Sequence, residues 1–270
     1  MIRKLPRSFV NKVWGVERLP APFPHPAEGK IGEVWFEPPP ELSQLLVKYI
    51  FASERLSVQC HPNDRQAEAM GLGKCGKSEC WVILDAEPGA TIAVGFHEEI
   101  TSEQMRRAAV DGSIVDMLEW HEVRAGDAFY IPAGTVHAIG GGVSLIEVQQ
   151  NSDVTFRLFD YGRQRELHLD RSVEVALTRA YPKSHRSEID GDQGVLIGSP
   201  HFDLRFWRAG SLAPFPMLHK GPALVIPFSG EFDVEGEKLV PGECAIHTRL
   251  SADAISGNGV LLIATPVDEG

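Results

Sequence analysis

The stretch GDAFYIPAGTVH, residues 126–137, combines a glycine turn, a short apolar strand and a second turn that leads to a histidine. The stretch GECAIH, residues 242–247, repeats the glycine, the acidic residue and the strand, but no Pro-x-Gly-x-x-His follows it. Two β-barrels of the jelly-roll kind, of which only the first carries a site, account for this partial repeat. We therefore predict an all-β fold with a few short helices. We expect one barrel in residues 1–165, and a linker with a second, degenerate barrel in residues 166–270.

Strand patterns on either side of this stretch agree with that fold. Apolar residues alternate with polar ones at residues 143–149 and 155–159, which predicts two strands that each bury one face. The apolar run at residues 45–50 predicts a strand that is buried on both faces. Glycine and proline interrupt the chain often, which favours short strands and turns over long helices.

The clearest predicted helix covers residues 102–118. Thr101 and Gln104 stand at the spacing of a capping box, and an apolar stripe begins directly after them. Gly112 weakens the middle of this segment, which leaves two shorter helices as the alternative.

A second group of side chains suits a metal ion. The stretch LSVQCHP, residues 56–62, reads as a strand that ends at a proline. Gln59 and His61 are two residues apart, so both side chains leave the same face of that strand. Glu79 lies further along the chain, and His137 closes the second turn described above. We expect four side chains to converge on one divalent metal: Gln59, His61, Glu79 and His137.

The residue types decide which metals fit. Two histidines, a carboxylate and an amide oxygen form a mixed nitrogen and oxygen set, which suits zinc and also manganese, iron or cobalt. Taken singly, each residue also has a structural explanation as a turn, strand or surface residue. The rigid turn at residues 132–134 favours the metal site, because it sets the backbone direction where a ligand is needed.

Composition excludes some classes of partner. The 270 residues carry a formal net charge of -11, which argues against nucleic acid, because binding its phosphates needs a basic face. An anionic small substrate is compatible if basic side chains gather in a pocket. No stretch approaches the ~20 apolar residues of a membrane helix, and no apolar signal-peptide run follows the basic N-terminus. The four cysteines lack zinc-finger spacing. Because we find no export signal, we expect a cytoplasmic protein with reduced thiols.

Several motifs resemble a known family. Residues 126–137 match the second cupin motif without a gap. The stretches LSVQCHPND (residues 56–64), GKSECW (76–81) and QNSDVTFR (150–157) resemble the type I mannose-6-phosphate isomerases. The resemblance runs in order over about residues 14–165, and the short length resembles the compact bacterial members.

The resemblance implies a fold, an activity and a set of site residues. It implies a double cupin that interconverts D-mannose 6-phosphate and D-fructose 6-phosphate, with one zinc ion per chain bound by the four ligands named above. Lys77 and Arg157 match the family's active-site lysine and catalytic arginine. Asp153 and Glu147 match acids near that arginine, which we expect to contact the substrate.

The implied chemistry is consistent with the residue types. An aldose–ketose isomerisation moves a proton between C1 and C2 through an enediolate, and a metal can polarise the carbonyl. Arg157 can clamp a phosphate or stabilise the enediolate, and Lys77 can bind phosphate or assist proton transfer. The alternative explanation for Arg157 is a surface ion pair with Asp153 or another nearby acid.

Two other functions fit the same residues. The first is a cupin enzyme of another reaction type, such as an iron-dependent oxygenase, because the metal ligands alone permit it. Lys77 and Arg157 favour a phosphosugar instead. The second is a non-catalytic sugar-phosphate sensor that has kept the site. Turnover, as opposed to binding, separates a sensor from an enzyme.

Overall fold

Antiparallel β-sheet makes up most of the molecule. The computed structural model describes residues 1–24, 29–211, 215, 221–251 and 254–267. The strands up to residue 159 are β1 (Ile2–Lys4), β2 (Arg7–Val16), β3 (Ile31–Phe36), β4 (Leu45–Ala52), β5 (Val58–Cys60), β6 (Glu79–Ala86), β7 (Thr91–Phe96), β8 (Leu118–Glu122), β9 (Asp127–Ile131), β10 (His137–Ile139), β11 (Val143–Gln150) and β12 (Phe156–Phe159). The later strands are β13 (Arg186–Glu188), β14 (Gln193–Gly198), β15 (Phe202–Ala209), β16 (Ala223–Ser229), β17 (Phe232–Val234), β18 (Glu237–Leu239), β19 (Ala245–His247), β20 (Ile255–Gly257) and β21 (Gly259–Pro266).

The first barrel consists of two sheets packed face to face. A seven-stranded sheet in the order β13-β9-β6-β11-β4-β3-β2 covers a five-stranded sheet in the order β12-β5-β10-β7-β8. Large apolar side chains from both sheets fill part of the space between them, including Trp81, Ile92, Phe129 and Leu145. These side chains form the apolar part of the barrel interior and leave the other part to polar residues.

The seven-stranded sheet is buried on its other face too. Tyr49 and Val148 on that face join one core with Phe202 and Leu262 of a six-stranded sheet, whose order is β1-β19-β16-β21-β15-β14. Every residue of β4 is therefore buried, which explains why residues 45–50 read as a continuous apolar run and not as an alternation.

The second barrel closes with a small sheet. The six-stranded sheet packs on three short strands in the order β18-β17-β20. Apolar side chains from both sheets fill the interior, among them Trp207, Phe232, Leu239 and Leu261. Two barrels were expected from the partial repeat, and this prediction is confirmed.

The two barrels also exchange strands. β1, at the start of the chain, pairs with β19 of the second barrel, and β13 pairs with β9 of the first. The division of the chain between residues 165 and 166 stays a prediction, because strand pairing by itself does not define a folding unit.

Short helices cover the outer face of the five-stranded sheet. They are α1 (Asp64–Ala69), α2 (Ser102–Asp111), α3 (Ile114–Met117) and α4 (Leu169–Val175). Thr101 and Gln104 form the predicted capping box of α2. Gly112 adopts a left-handed φ of 87° and ends that helix, so the alternative of two shorter helices is the one observed. No helix in the described ranges is long and apolar enough to cross a membrane.

Candidate metal centre and its cavity

Strand register places three of the predicted site residues side by side. β5 lies between β10 and β12, and Gln59 stands directly opposite His137 on one side and Arg157 on the other. Residues that face each other in an antiparallel pair project to the same side of the sheet. The flanking residues Val58 and Ala138 pack outward against the helices, so the row of site residues points into the barrel.

Glu79 and His61 meet this row from two directions. Glu79 begins β6 of the opposite sheet and is fully buried, while His61 follows β5. The Nε2 atoms of His61 and His137 each lie 3.5 Å from a carboxylate oxygen of Glu79. The ligand atoms of these three residues all lie within 4.8 Å of one another. The predicted convergence of the three residues is therefore observed.

The two histidines are oriented in the way that metal ligands require. The Nδ1 atom of His61 lies 2.8 Å from the carbonyl oxygen of Val154, and Nδ1 of His137 lies 2.9 Å from that of Thr135. A carbonyl oxygen can only accept, so each Nδ1 carries the proton and donates. Each Nε2 therefore presents its lone pair to the centre, as in metal sites whose ligating histidines are held by a backbone carbonyl.

Burial keeps both imidazoles uncharged. It lowers the pKa of His137 to about 4 and lowers the pKa of His61 well below its ordinary value, with the nearby Lys77 ammonium acting in the same direction. The Glu79 atom Oε1 is buried and has no hydrogen-bond partner among the described residues. Two nitrogen lone pairs and a carboxylate oxygen without a hydrogen-bond partner among the described residues thus face one another. A divalent cation fits this set of donors.

Gln59 is positioned as a fourth ligand, provided that its amide is turned. Its Nε2 lies 3.3 Å from Nε2 of His137, and its Oε1 accepts a hydrogen bond from Ser57 at 3.1 Å. Amide oxygen and nitrogen are exchanged by a half-turn of the amide. That turn brings the oxygen to the centre and leaves the nitrogen to donate to the Ser57 hydroxyl.

A second buried cluster adjoins the ligands and consists of charged residues. Glu147 stands opposite Lys48 on one neighbouring strand and opposite Trp81 on the other. Its carboxylate lies 3.3 Å from Lys48 Nζ and 3.8 Å from Lys77 Nζ, and it accepts a hydrogen bond from the Trp81 indole at 3.1 Å. Burial would raise the pKa of Glu147, but the two ammonium groups outweigh it and lower this pKa to about 2.

Lys77 links the charged cluster to the ligands. Its ammonium forms an ion pair with Glu79 and lies 3.3 Å from Nε2 of His61. Burial would lower the pKa of Lys77, but the carboxylates of Glu147 and Glu79 raise it above its ordinary value. Burial, together with the charge of Glu147, raises the pKa of Glu79 to about 7. Lys77 is therefore a protonated donor at neutral pH.

A cavity of about 340 Å³ opens above these clusters. Its walls include Gln59, Lys77 and Glu147 near the ligands, and Asp153 and Arg157 further out. Five of the predicted site residues line this cavity, whereas His61, Glu79 and His137 do not. These three adjoin it through Gln59, which lies 3.3 Å from His137, and through Lys77, which lies 3.3 Å from His61. Their individual roles stay predictions.

Arg157 does not form the surface ion pair considered as its alternative explanation. Its guanidinium makes no ion pair with any residue in the described ranges, and its Nη1 donates a long hydrogen bond of 3.4 Å to the carbonyl oxygen of Glu166. Asp153 is exposed at the cavity wall. A half-buried arginine without an ion-pair partner is available to an anionic ligand.

Sequence reasoning missed several residues of the cavity wall. They are Lys12, Glu33, Trp35, Lys48, Arg165 and His168. Lys48 left a signal, since it is a lone charge in the middle of the buried strand β4. A lysine is seldom buried unless a carboxylate pairs with it. The other five gave no comparable signal, because their strands and loops read as ordinary polar sequence.

Two curated proteins with a similar sequence have the name of the family whose motifs this sequence resembles. Mannose-6-phosphate isomerase ManA of Bacillus subtilis (strain 168) is 37% identical over 210 residues, which are 74% of this chain and 64% of that protein. The mannose-6-phosphate isomerase of Streptococcus mutans serotype c is 39% identical over 193 residues, which are 67% of this chain and 59% of that protein. The matched region thus spans about three-fifths of the length of these relatives. No family model matches the chain.

Solved structures share the fold over nearly the whole chain. The mannose 6-phosphate isomerase from Bacillus subtilis aligns with a TM-score of 0.76 and 24% identity, over 97% of this chain and 98% of that one. A zinc-bound mannose 6-phosphate isomerase aligns with a TM-score of 0.75 and 16% identity, over 98% and 99% of the two chains. At these identities the alignments establish the fold.

Fold and site together define the class of this protein, which is a two-barrel cupin whose first barrel holds a metal-binding centre. The relatives then narrow the class. The relatives and the solved structures that the chain resembles in sequence and in fold are mannose-6-phosphate isomerases, the family whose motifs the sequence resembles.

Proposed function

We propose that this protein is an aldose–ketose isomerase that interconverts mannose 6-phosphate and fructose 6-phosphate. One observation carries the proposal: a cavity lined by Lys77 and Arg157 adjoins a histidine and carboxylate cluster that fits a divalent cation. Lys77 is protonated, and Arg157 has no ion pair with any other described residue. The names of the relatives support the same reaction. A phosphosugar is the class of substrate that uses both the ligands and the cations.

The metal in this proposal is zinc, held by Gln59, His61, Glu79 and His137. When bound, such an ion polarises a carbonyl oxygen and an adjacent hydroxyl. The neutral imidazoles need no deprotonation before they bind a metal at pH 7, because burial holds their pKa values low. The ion-pair contact of Lys77 with Glu79 keeps the lysine beside the ligands.

Lys77 is the proposed proton and hydrogen-bond donor. It remains protonated at neutral pH, since the surrounding carboxylates raise its pKa. A donor beside the metal ligands can stabilise the oxygen on which charge develops in the enediolate. Glu147 holds the ammonium from one side and keeps it aimed into the cavity.

Arg157 and Asp153 act on the substrate further along the cavity. The position of Arg157 opposite Gln59 puts its guanidinium next to the ligand row, where it stabilises developing negative charge. No ion pair between Arg157 and another described residue has to be broken first. Asp153, which is exposed at the cavity wall, accepts hydrogen bonds from sugar hydroxyls in this proposal.

A coupled isomerase assay tests the function. Protein loaded with zinc should convert mannose 6-phosphate to fructose 6-phosphate at a rate that falls when a chelator removes the metal and returns when zinc is added. Oxygen consumption without isomerisation would identify an oxygenase. Stoichiometric binding of mannose 6-phosphate without turnover would identify a sensor. Either of these results contradicts the proposal.

A further inference from the structure

One end of the cavity carries positive charge that its own surroundings leave partly unbalanced. The basic residues in the walls are Lys12, Lys48, Lys77, Arg157, Arg165 and His168. The lysines all have carboxylate partners, namely Glu33 at 3.2 Å from Lys12, and Glu147 near the other two. The remaining three lie on one segment, residues 157–168, which continues from β12 into the following loop. That segment is the candidate anion site.

Asp160 holds Arg165 in a defined orientation. The buried carboxylate of Asp160 accepts two hydrogen bonds of 2.6 Å, from Nε and Nη2 of Arg165. It also accepts one of 3.1 Å from Arg163. Arg163 has a second carboxylate partner in Glu54, at 3.6 Å, whereas Arg165 pairs with Asp160 alone among the described residues. The Nη1 atom of Arg165 has no partner among the described residues and is free to donate to a ligand in the cavity.

His168 adds a neutral donor beside it. The backbone N–H of Arg157 donates to Nδ1 of His168 at 3.2 Å, so Nδ1 carries no proton and the neutral ring has its proton on Nε2. The nearest acid to Nε2 is Glu166, at 3.9 Å, with a side chain that is 82% exposed. The Nε2–H group is thus available to an anion, and Arg157 holds its ring in place through the backbone.

The location of this end relative to the metal ligands agrees with the shape of a phosphosugar. His137, Gln59 and Arg157 stand in one row across three strands, and His168 is bonded to the backbone of the last of them. An extended sugar phosphate whose carbonyl lies at the ligands has its phosphate directed along this row. Like the lysines, Arg165 is also paired, but its carboxylate partner takes Nε and Nη2 and leaves Nη1 to a ligand.

We propose that Arg165 and His168 bind the phosphate group of the substrate, with Asp160 as the positioning residue that holds Arg165. This proposal rests on the proposed phosphosugar function and adds the subsite that recognises the phosphate. The Arg165 guanidinium, bound to Asp160 through Nε and Nη2, and the His168 N–H group are donors with fixed directions toward phosphate oxygens. A single flexible lysine would not provide such fixed directions.

The matched control is Arg163, which contacts the same carboxylate but does not line the cavity. Zinc-loaded wild type, Arg165→Met and Arg163→Met are titrated calorimetrically with mannose 6-phosphate, mannose and inorganic phosphate. Arg165→Met should weaken binding of mannose 6-phosphate and of phosphate by about 10- to 100-fold and leave mannose unchanged. Arg163→Met should change each affinity by less than about threefold, which is within the range of an ion pair outside the cavity.

Unchanged affinity of Arg165→Met for both phosphate compounds overturns the proposal, and so does an equal loss for mannose. If the methionine variant fails to fold, Arg165→Lys takes its place, since it keeps the charge and loses the fork. Arg165→Lys should weaken the binding of mannose 6-phosphate and leave the binding of mannose unchanged. Turnover is not used in this test. Wild type that binds mannose 6-phosphate through Arg165 without forming fructose 6-phosphate supports the subsite and contradicts the isomerase.

Discussion

The two barrels place a histidine after a similar glycine turn and use it in opposite ways. In the first barrel, Nδ1 of His137 donates to a carbonyl oxygen and leaves the Nε2 lone pair open to Glu79. In the second barrel, Nδ1 of His247 accepts from the backbone N–H of Arg249 at 3.1 Å, so the proton of the neutral ring is on Nε2, 3.3 Å from a carboxylate oxygen of Glu235. The His137 ring presents a lone pair to the metal centre, whereas the His247 ring has its protonated nitrogen facing the Glu235 carboxylate.

The interiors around these two histidines also differ in polarity. The first barrel buries Lys48, Lys77, Glu79 and Glu147 beside a cavity. The interior of the second barrel is filled by apolar side chains such as Trp207, Phe232 and Leu261. A barrel of this kind therefore forms with or without a polar centre. The buried charges in the first barrel are therefore best explained by function.

The largest expected effect is on metal content, when the histidine of the first barrel is removed and compared with the histidine of the second. In His137→Ala the metal affinity should fall by more than the 10- to 100-fold that loss of an outer contact costs, because a direct ligand is lost. Metal content of the purified protein, measured by mass spectrometry, should fall well below one per chain. His247→Ala should keep its metal. Full metal retention in both His61→Ala and His137→Ala would refute the assigned centre.

Removing the charge of Glu147 should reveal the cost of an uncompensated buried ion. Glu147→Gln leaves two ammonium groups buried without their shared carboxylate, and loss of one partner of a buried pair typically costs about 3–5 kcal/mol of the free energy of unfolding. Urea denaturation measures this change. The control in the second barrel is Glu235→Gln, which removes an exposed partner and should cost less than about 1 kcal/mol. Equal effects of the two changes would contradict the comparison.

Arg157 tests whether the unpaired cation of the first barrel acts in catalysis. Arg157→Ala should lower turnover by about a hundredfold, or on the order of 3 kcal/mol, because a donor to developing charge is lost. Arg157→Lys should recover only part of it, since an ammonium lacks the planar fork. Steady-state kinetics on mannose 6-phosphate measure both variants, and metal content should stay at the wild-type level. A rise in KM alone would identify Arg157 as a binding group.

Acid should destabilise the metal-free protein through the first barrel. His61 and His137 have pKa values below those of the unfolded chain, so the excess of protons that the unfolded state binds at these positions grows from about one at pH 6.5 to about two near pH 5. Glu79, with its pKa raised to about 7, binds one proton in the folded state over the same range and opposes them. Near pH 5, the net of about one proton lowers the free energy of unfolding by about 1.4 kcal/mol per pH unit on acidification.

Urea denaturation of chelator-treated protein at pH 6.5 and pH 5.0 measures this slope. The expected loss is about 2 kcal/mol across the interval. Bound metal should reduce the loss, because coordination holds the histidines unprotonated until the metal leaves. Stability that rises on acidification would show that proton uptake by folded Glu79 outweighs that of the unfolded histidines, and would contradict this prediction.

Sequence patterns decide the local elements of this protein. The capping box at Thr101 and Gln104 starts a helix because a side chain and a backbone N–H only three residues apart satisfy each other. Gly112 ends it because a left-handed residue costs glycine little. The two-residue spacing of Gln59 and His61 puts both beside the same centre, because strand side chains alternate. The repeated glycine turns indicated two barrels for the same local reason.

Tertiary structure alone decides how those elements meet. The contact of Lys48 with Glu147 depends on which strands are neighbours in the sheet, and strand order is a property of the whole fold. Likewise, the sequence identifies His137 as a ligand type, but its tautomer depends on the carbonyl oxygen that its ring meets. Burial is also collective, since the low pKa of His137 arises from the closure of two sheets over it. The candidate ligands can therefore be recognised from residue type and local spacing. Their assembly into a metal centre depends on contacts between residues that are far apart in the sequence.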